Sequence, residues 1–295
     1  MLAPPTGPVD MVIDTDTYNE IDDQFAIAYA LLSPQNCHVE AIYAAPFHNR
    51  RSTVPADGME QSFQEILRLL DLLDPSSRPR ALKGSTTYLR APAEPVPSAA
   101  AEDLVNRAMA RREGPLYVAA IAAGTNIASA LLLEPRIIER IVLIWLAGQP
   151  HDWPTSEEFN LSQDVPAAQV IFDCGVPLVH VPCKNVAEHL CTSLAELKKD
   201  VAGHGSIGDF LVERFEQYRK DHFAFAKPLW DVATVAWLIR PDWVATKLVP
   251  SPRPGDDNLW QHDSNRHTIR VATGMDRNGI FGDMFTRLRQ AQSVC

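Results

Sequence analysis

The chain has no run of 18 or more apolar residues, so nothing in it reads as a membrane span. Its first ten residues, MLAPPTGPVD, carry neither a basic start nor an apolar stretch, and no secretory signal is expected. Cysteine is sparse and scattered. Cys37, Cys174, Cys183, Cys191 and Cys295 make an odd number, with no CxxC pair. They read as mostly buried free thiols in a reducing, cytoplasmic compartment. Positive charge is in deficit, with 27 Lys and Arg against 37 Asp and Glu, a net −10. That argues against DNA or RNA as a partner. It fits a soluble enzyme with a small-molecule ligand. Internal repeats and low-complexity tracts are also missing.

What is present can build a large core: 295 residues, 46% of them hydrophobic. Short β-rich runs alternate with helical patterns. The expected strands are residues 11–15, 39–45, 115–122, 140–147 and 176–181. Helical patterns cover residues 22–32, 58–73, 99–112, 125–135 and 164–175, and the region 195–238. The strands are apolar throughout rather than alternating, which implies cover on both faces. The expectation is an α/β fold with an open, mostly parallel sheet and flanking helices. It forms one domain over residues 1–295, with a helical cap near the C-terminal half. The proline-rich stretches 90–100 and 250–263 read as surface loops.

One segment is unusual. VIDTDTYNEIDDQFAIAYALL places Asp14, Asp16, Asp22 and Asp23 within ten positions. Asp14 and Asp16 fall at the end of the first strand, and Asp22 and Asp23 open the next helix. In an open parallel sheet, ligands bind beyond the carboxyl ends of the strands. Helix capping uses one acid or two, not four. Hard carboxylate oxygens with no nearby His or Cys favour Ca²⁺ or Mg²⁺ over zinc.

Asp14-x-Asp16 resembles the start of haloacid-dehalogenase-like phosphatases, in which Asp14 would be a nucleophile, but Tyr18 fills their hydroxyl position. Asp14-x-Asp16 with Asp22-Asp23 also resembles the inosine-uridine nucleoside hydrolase family. Three later stretches resemble that family in order. They are VAAIAAGTNIASALLLEP (118–135), EEFNLSQDVPAAQVIF (157–172) and KPLWDVATVAWLIRP (227–241). The likeness runs from about residue 11 to about 290, and the chain is identified as a divergent member.

The resemblance implies metal-dependent hydrolysis of an N-ribosidic bond in a nucleoside or related ribosyl compound. It implies Ca²⁺ held by Asp16, Asp23, Asp231 and the Ile121 carbonyl, with Asp16 as general base. Asp22, Glu158 and Asn160 would bind ribose hydroxyls. Asp14 would support the loop from behind. It also implies a homo-oligomer, a dimer or tetramer.

The chain departs from the family on the nucleobase side. Trp230 stands where many members have a His before the metal Asp. Trp cannot donate a proton at neutral pH but can stack on a base. Phe47 falls on a ribose-binding Asn position, with Asn49 or His48 as substitutes. The Gly84 element is reduced. Candidates for a leaving-group acid are His48, His151, Asp152 and His222, the last expected over the base in the helical cap. Tyr218, Trp153 and Trp230 are candidates for a base pocket. A relative that only binds a ribosyl ligand is the alternative these departures motivate.

Overall fold

The computed structural model of the chain describes residues 1–75 and 77–291, so Cys295 lies outside the described residues. The strands are β1 (Val9–Thr15), β2 (Cys37–Ala44), β3 (Arg80–Lys83), β4 (Leu116–Ile121), β5 (Ile141–Leu146), β6 (Leu178–Val181), β7 (Cys191–Thr192), β8 (Lys227–Pro228), β9 (Val244–Pro250), β10 (Arg253–Pro254), β11 (Trp260–Gln261) and β12 (Thr268–Met275). The helices are α1 (Asp23–Leu31), α2 (Pro55–Leu73), α3 (Ala99–Met109), α4 (Thr125–Leu133), α5 (Phe159–Gln163), α6 (Val165–Asp173), α7 (Leu194–Asp200), α8 (Ser206–Tyr218), α9 (Val232–Ile239) and α10 (Arg277–Gln290).

Eight strands form one sheet in the order β3-β2-β1-β4-β5-β6-β12-β9. All neighbours pair in parallel except β9, which runs antiparallel to β12. Both faces are covered, which is why the strands lack polar alternation. In β1, Met11 and Ile13 enter one apolar layer and Val12 the other. In β5, Val142, Ile144 and Leu146 face one layer, while Ile141, Leu143 and Trp145 face the opposite one. The first layer packs α1, α2, α8, α9 and α10; the second packs α3, α4 and α6.

The chain winds outward from β1 through β2 to β3, then returns to β4 and winds the other way. The strand order therefore reverses between β1 and β4. That is where an open α/β sheet leaves a crevice at its carboxyl edge. Thr15 pairs with Ile121 there, so the two strands end level.

The five expected strands are found. β3, β9, β12 and α10 were not read from the sequence, nor were α5 and the two-residue strands β7, β8, β10 and β11, the last two of which lie in the stretch 250–263 expected as a loop. The region 195–238 is not continuously helical: α7, α8 and α9 are separated, and residues 219–231 are irregular apart from β8. Gly203 and Gly205, both at positive φ, part α7 from α8, and Pro228, which lacks an N–H and disfavours helical backbone at the residue before it, keeps the stretch just ahead of α9 from being helical. Lys227–Pro228 pairs instead with Cys191–Thr192. No helix among the described residues is long and apolar enough to cross a membrane.

Candidate active site

A cleft of about 580 Å³ opens over the β1/β4 crevice. Its floor carries Asp16, Asp22, Asp23, Asp231, Glu158 and the end of β4 at Ile121. Each acid arrives by a separate local rule. Asp16 leaves the end of β1. Asp22 and Asp231 sit at the N-cap positions of α1 and α9, yet neither side chain caps its helix. A capping role would have consumed these carboxylates, so they stay available to the cleft. Their helices' positive N-terminal ends favour negative charge at both places.

Among the described residues, Asp22, Asp23 and Asp231 bring carboxylate oxygens within 4.8 Å of one another. Asp16, expected as a ligand, is outside that set, while Asp22, expected only at ribose, is within it. Asp16 is 1% exposed, and its Oδ2 has no hydrogen-bond partner. An orphaned, buried carboxylate oxygen beside a clustered oxygen set fits a hard divalent cation.

The electrostatics agree. Burial, then Asp23 and Asp22, push Asp16 well above the ordinary carboxylate range. Burial, then Asp22, Asp23 and Asp16, do the same to Asp231. Asp23 is raised to about 8 by burial and Asp22, against a hydrogen bond donated by Thr15 Oγ1 at 2.5 Å. One buried ammonium offsets part of this charge. Lys227 Nζ donates to Glu20 Oε2 at 2.6 Å and to Pro228 O at 3.2 Å, and reaches Asp22 Oδ1 at 3.4 Å. Burial opposes its charge, but Asp22 and Glu20 outweigh burial and raise its pKa.

The walls are of two kinds. Glu158 caps α5, accepting from Asn160 N at 3.1 Å and Leu161 N at 3.2 Å, and also takes Gly148 N at 2.8 Å. Gly148 has φ +64, a left-handed turn that aims this N–H at the carboxylate. Asn160 Nδ2 donates to Leu146 O at 3.1 Å, leaving its Oδ1 as an acceptor. Phe159, Tyr218 and Trp230 give aromatic surface, and Arg50, Arg51 and Lys184 add positive charge.

The chain matches the model of the family described as inosine-uridine preferring nucleoside hydrolase over residues 11–282. It belongs to that family. It is a hydrolase acting on N-glycosyl bonds. A similar curated relative is the pyrimidine-specific ribonucleoside hydrolase RihA of Salmonella paratyphi A. The two are 28% identical over 95% of this chain and 98% of the relative. Solved structures with the same fold include the plant nucleoside hydrolase PpNRh1, with TM-score 0.76, 20% identity, and 96% and 99% of the two chains covered. Another is a purine-preferring ribonucleoside hydrolase from Gardnerella vaginalis, with TM-score 0.74, 21% identity, and 96% and 98% covered.

In this nucleoside hydrolase, Asp16, Asp22, Asp23, Ile121, Glu158, Asn160, Trp230, Asp231 and Asn49 all line one cleft. Asn49 is braced there: its Nδ2 donates to Asn19 Oδ1 at 2.5 Å, and its Oδ1 accepts from Arg51 N at 2.8 Å. Phe47, at the expected Asn position, is fully buried. Asp14 lies behind the cleft, bonded by Asn126 Nδ2 at 2.8 Å and raised to about 7 by burial. A nucleophile must reach substrate, so that placement together with the family match sets the phosphatase reading aside.

Among the leaving-group candidates, His222 is displaced from the expected place. It packs against Phe215 and Phe225 and lines a separate cavity beside α7. The irregular segment after α8 carries it there. His151 stacks on His180, does not line the cleft, and is driven down to about 2, chiefly by burial, so it is uncharged and a poor acid at neutral pH. His48, Asp152 and Trp153 do not line the cleft, whereas Tyr218 does. Sequence reasoning missed Asn19, Glu20, Arg50, Arg51, Leu146, Gln149, Cys183 and Lys184 on the cleft wall, and Lys227 behind it. Lys227 stands in the quoted KPLWD stretch, and a lysine four residues before a metal-type Asp was the available signal.

Proposed function

We propose that the cleft hydrolyses the N-ribosidic bond of a nucleoside with the help of one Ca²⁺. The observation that carries this reading is the pair of N-cap acids, Asp22 and Asp231, that cap nothing and face Asp16 over the strand-order reversal. Asp16, Asp23, Asp231 and the Ile121 carbonyl would hold the cation. Asp22 is tethered by Lys227, so part of its charge is already offset. Asp16 has no such cation. When bound, the cation offsets the carboxylate charge and makes a nearby water more acidic.

Asp16 then takes a proton from water at its unpartnered Oδ2, as general base. The water oxygen attacks the anomeric carbon while the C–N bond breaks, through an oxocarbenium-like state. Asp22, Glu158 and Asn160 accept hydrogen bonds from ribose hydroxyls and fix the sugar's orientation. Trp230, Tyr218 and Phe159 flank the base and exclude water from it.

The test is reducing-sugar release from purine and pyrimidine nucleosides, with and without chelator, using Asp16→Asn as control. Chelator-sensitive release by the wild type, lost in the variant, is expected. No release with calcium still bound would overturn catalysis on nucleosides and favour a ribosyl-binding relative.

A further inference from the structure

Among the described residues no histidine lines the cleft, but a cation stands beside Trp230. Trp230 occupies the position just before Asp231, and its indole donates only through Nε1–H. The Lys184 ammonium lies 5.4 Å from the centre of the Trp230 ring, and both residues line the cleft. The lysine is held from both ends. Its Nζ is 2.8 Å from Glu188 Oε1, and its backbone N–H donates to Gln149 Oε1 at 3.3 Å. Gln149 is itself anchored through Nε2 to Glu157 O at 2.9 Å. Asn185, next in the chain, sits at φ +58 and donates its N–H to the same Glu188 carboxylate at 3.2 Å. This tight turn fixes where the lysine stem starts. The side chain is 44% exposed, so a ligand can reach it.

A base entering the cleft beside Trp230 would meet that ammonium, which stands over one face of the indole ring. We propose that Lys184 is the catalytic residue that receives the departing nucleobase. This rests on the N-ribohydrolase reading above. As the C–N bond breaks, its electron pair moves onto the base nitrogen and the base leaves as an anion. Lys184 donates a charged hydrogen bond to that anion, and the anion later takes a proton from solvent. The water that attacks gives its oxygen to the anomeric carbon and its proton to Asp16. Charge-assisted donors aimed at developing charge act most strongly where water is excluded.

The experiment compares wild type, Lys184→Met and Lys184→Arg on a nucleoside and on p-nitrophenyl ribofuranoside, whose leaving group needs no assistance. For Lys184→Met, kcat on the nucleoside should fall about 100-fold, as for loss of one preorganised donor, while kcat on the nitrophenyl riboside stays within about three-fold. Lys184→Arg should recover most of the loss. Equal loss on both substrates, or none on either, overturns the assignment. A wild type that cleaves neither substrate overturns the ribohydrolase reading itself, and this inference with it.

Discussion

Calcium binding should expel protons, and the number follows from the acid cluster. In the metal-free cleft Asp23 is raised to about 8. At pH 7 a group one pH unit below its pKa is about nine-tenths protonated. Asp16 and Asp231 are raised as well, by burial and by each other's neighbours. A divalent cation needs these carboxylates ionised. Binding at pH 7 should therefore release at least about one proton, that of Asp23, and the apparent affinity should climb about tenfold per pH unit for each proton released.

The sign is fixed by the raised values: affinity grows with pH until the cluster has ionised, then levels off. The protons on Asp14, behind the cleft, and on Asp23 stabilise the fold before metal binds. Their contribution is present below the ordinary carboxylate range and is lost as pH rises through about 7 for Asp14 and about 8 for Asp23. Chelator-stripped protein should therefore melt at a lower temperature at pH 8.5 than at pH 5.5, with calcium reversing the difference. The assay is calorimetric titration of calcium into stripped protein at pH 7, in buffers of different ionisation enthalpy. The slope of heat against that enthalpy counts the protons. A slope of zero would mean that the acids are already ionised without metal, and would refute the argument from burial and mutual repulsion.

Two further outcomes are expected. Lys227→Met strips the ammonium from Asp22 and Glu20; loss of one partner from a buried pair costs about 3 kcal/mol, read by urea denaturation, and KM for the ribosyl substrate should rise. His222→Ala should keep kcat/KM on nucleosides within about two-fold, because the imidazole lies in a cavity apart from the cleft; a loss of a hundred-fold would mean that residues 219–226 swing over the substrate during turnover.

The sequence was most readable where burial is complete. β1, β4 and β5 are apolar on both sides, so their runs stand out, and the acids at the end of β1 inherit that clarity. β9 is the edge strand, with four of its seven positions exposed, and β12 beside it mixes exposed and half-buried positions with three buried ones, so neither carries such a run. β3 is four residues long and exposed at both ends. Glycines at 279 and 282 inside α10 blurred its helical pattern. Long-range contacts were out of reach for another reason. Lys227 meets Glu20 from 207 positions away, and Lys184 meets Trp230 through the turn of a separate loop. No local spacing rule encodes such a meeting. The aspartate cluster of residues 14–23 announced the cleft's acids, but only the folded chain decides which cations stand among them.

The charge pattern also explains why so many acids can be kept together. Asp16, Asp22, Asp23 and Asp231 would repel one another if all were ionised at once. The fold answers in three ways. The N-terminal ends of α1 and α9 lie under Asp22, Asp23 and Asp231. Thr15 holds Asp23 with a hydrogen bond, and Lys227 holds Asp22. The raised carboxylates favour keeping protons until a cation offsets their charge. Asp16 receives none of the fixed supports: its Oδ2 has no partner, and its neighbours are acids. Of the four, it is the carboxylate whose ionisation depends most on what enters the cleft. A group in that position can hold a cation and then accept a proton from water beside it. Asp22, already neutralised in part, is better suited to hydrogen-bonding a neutral sugar. The division of labour among neighbouring aspartates thus follows from which of them the protein has already partnered.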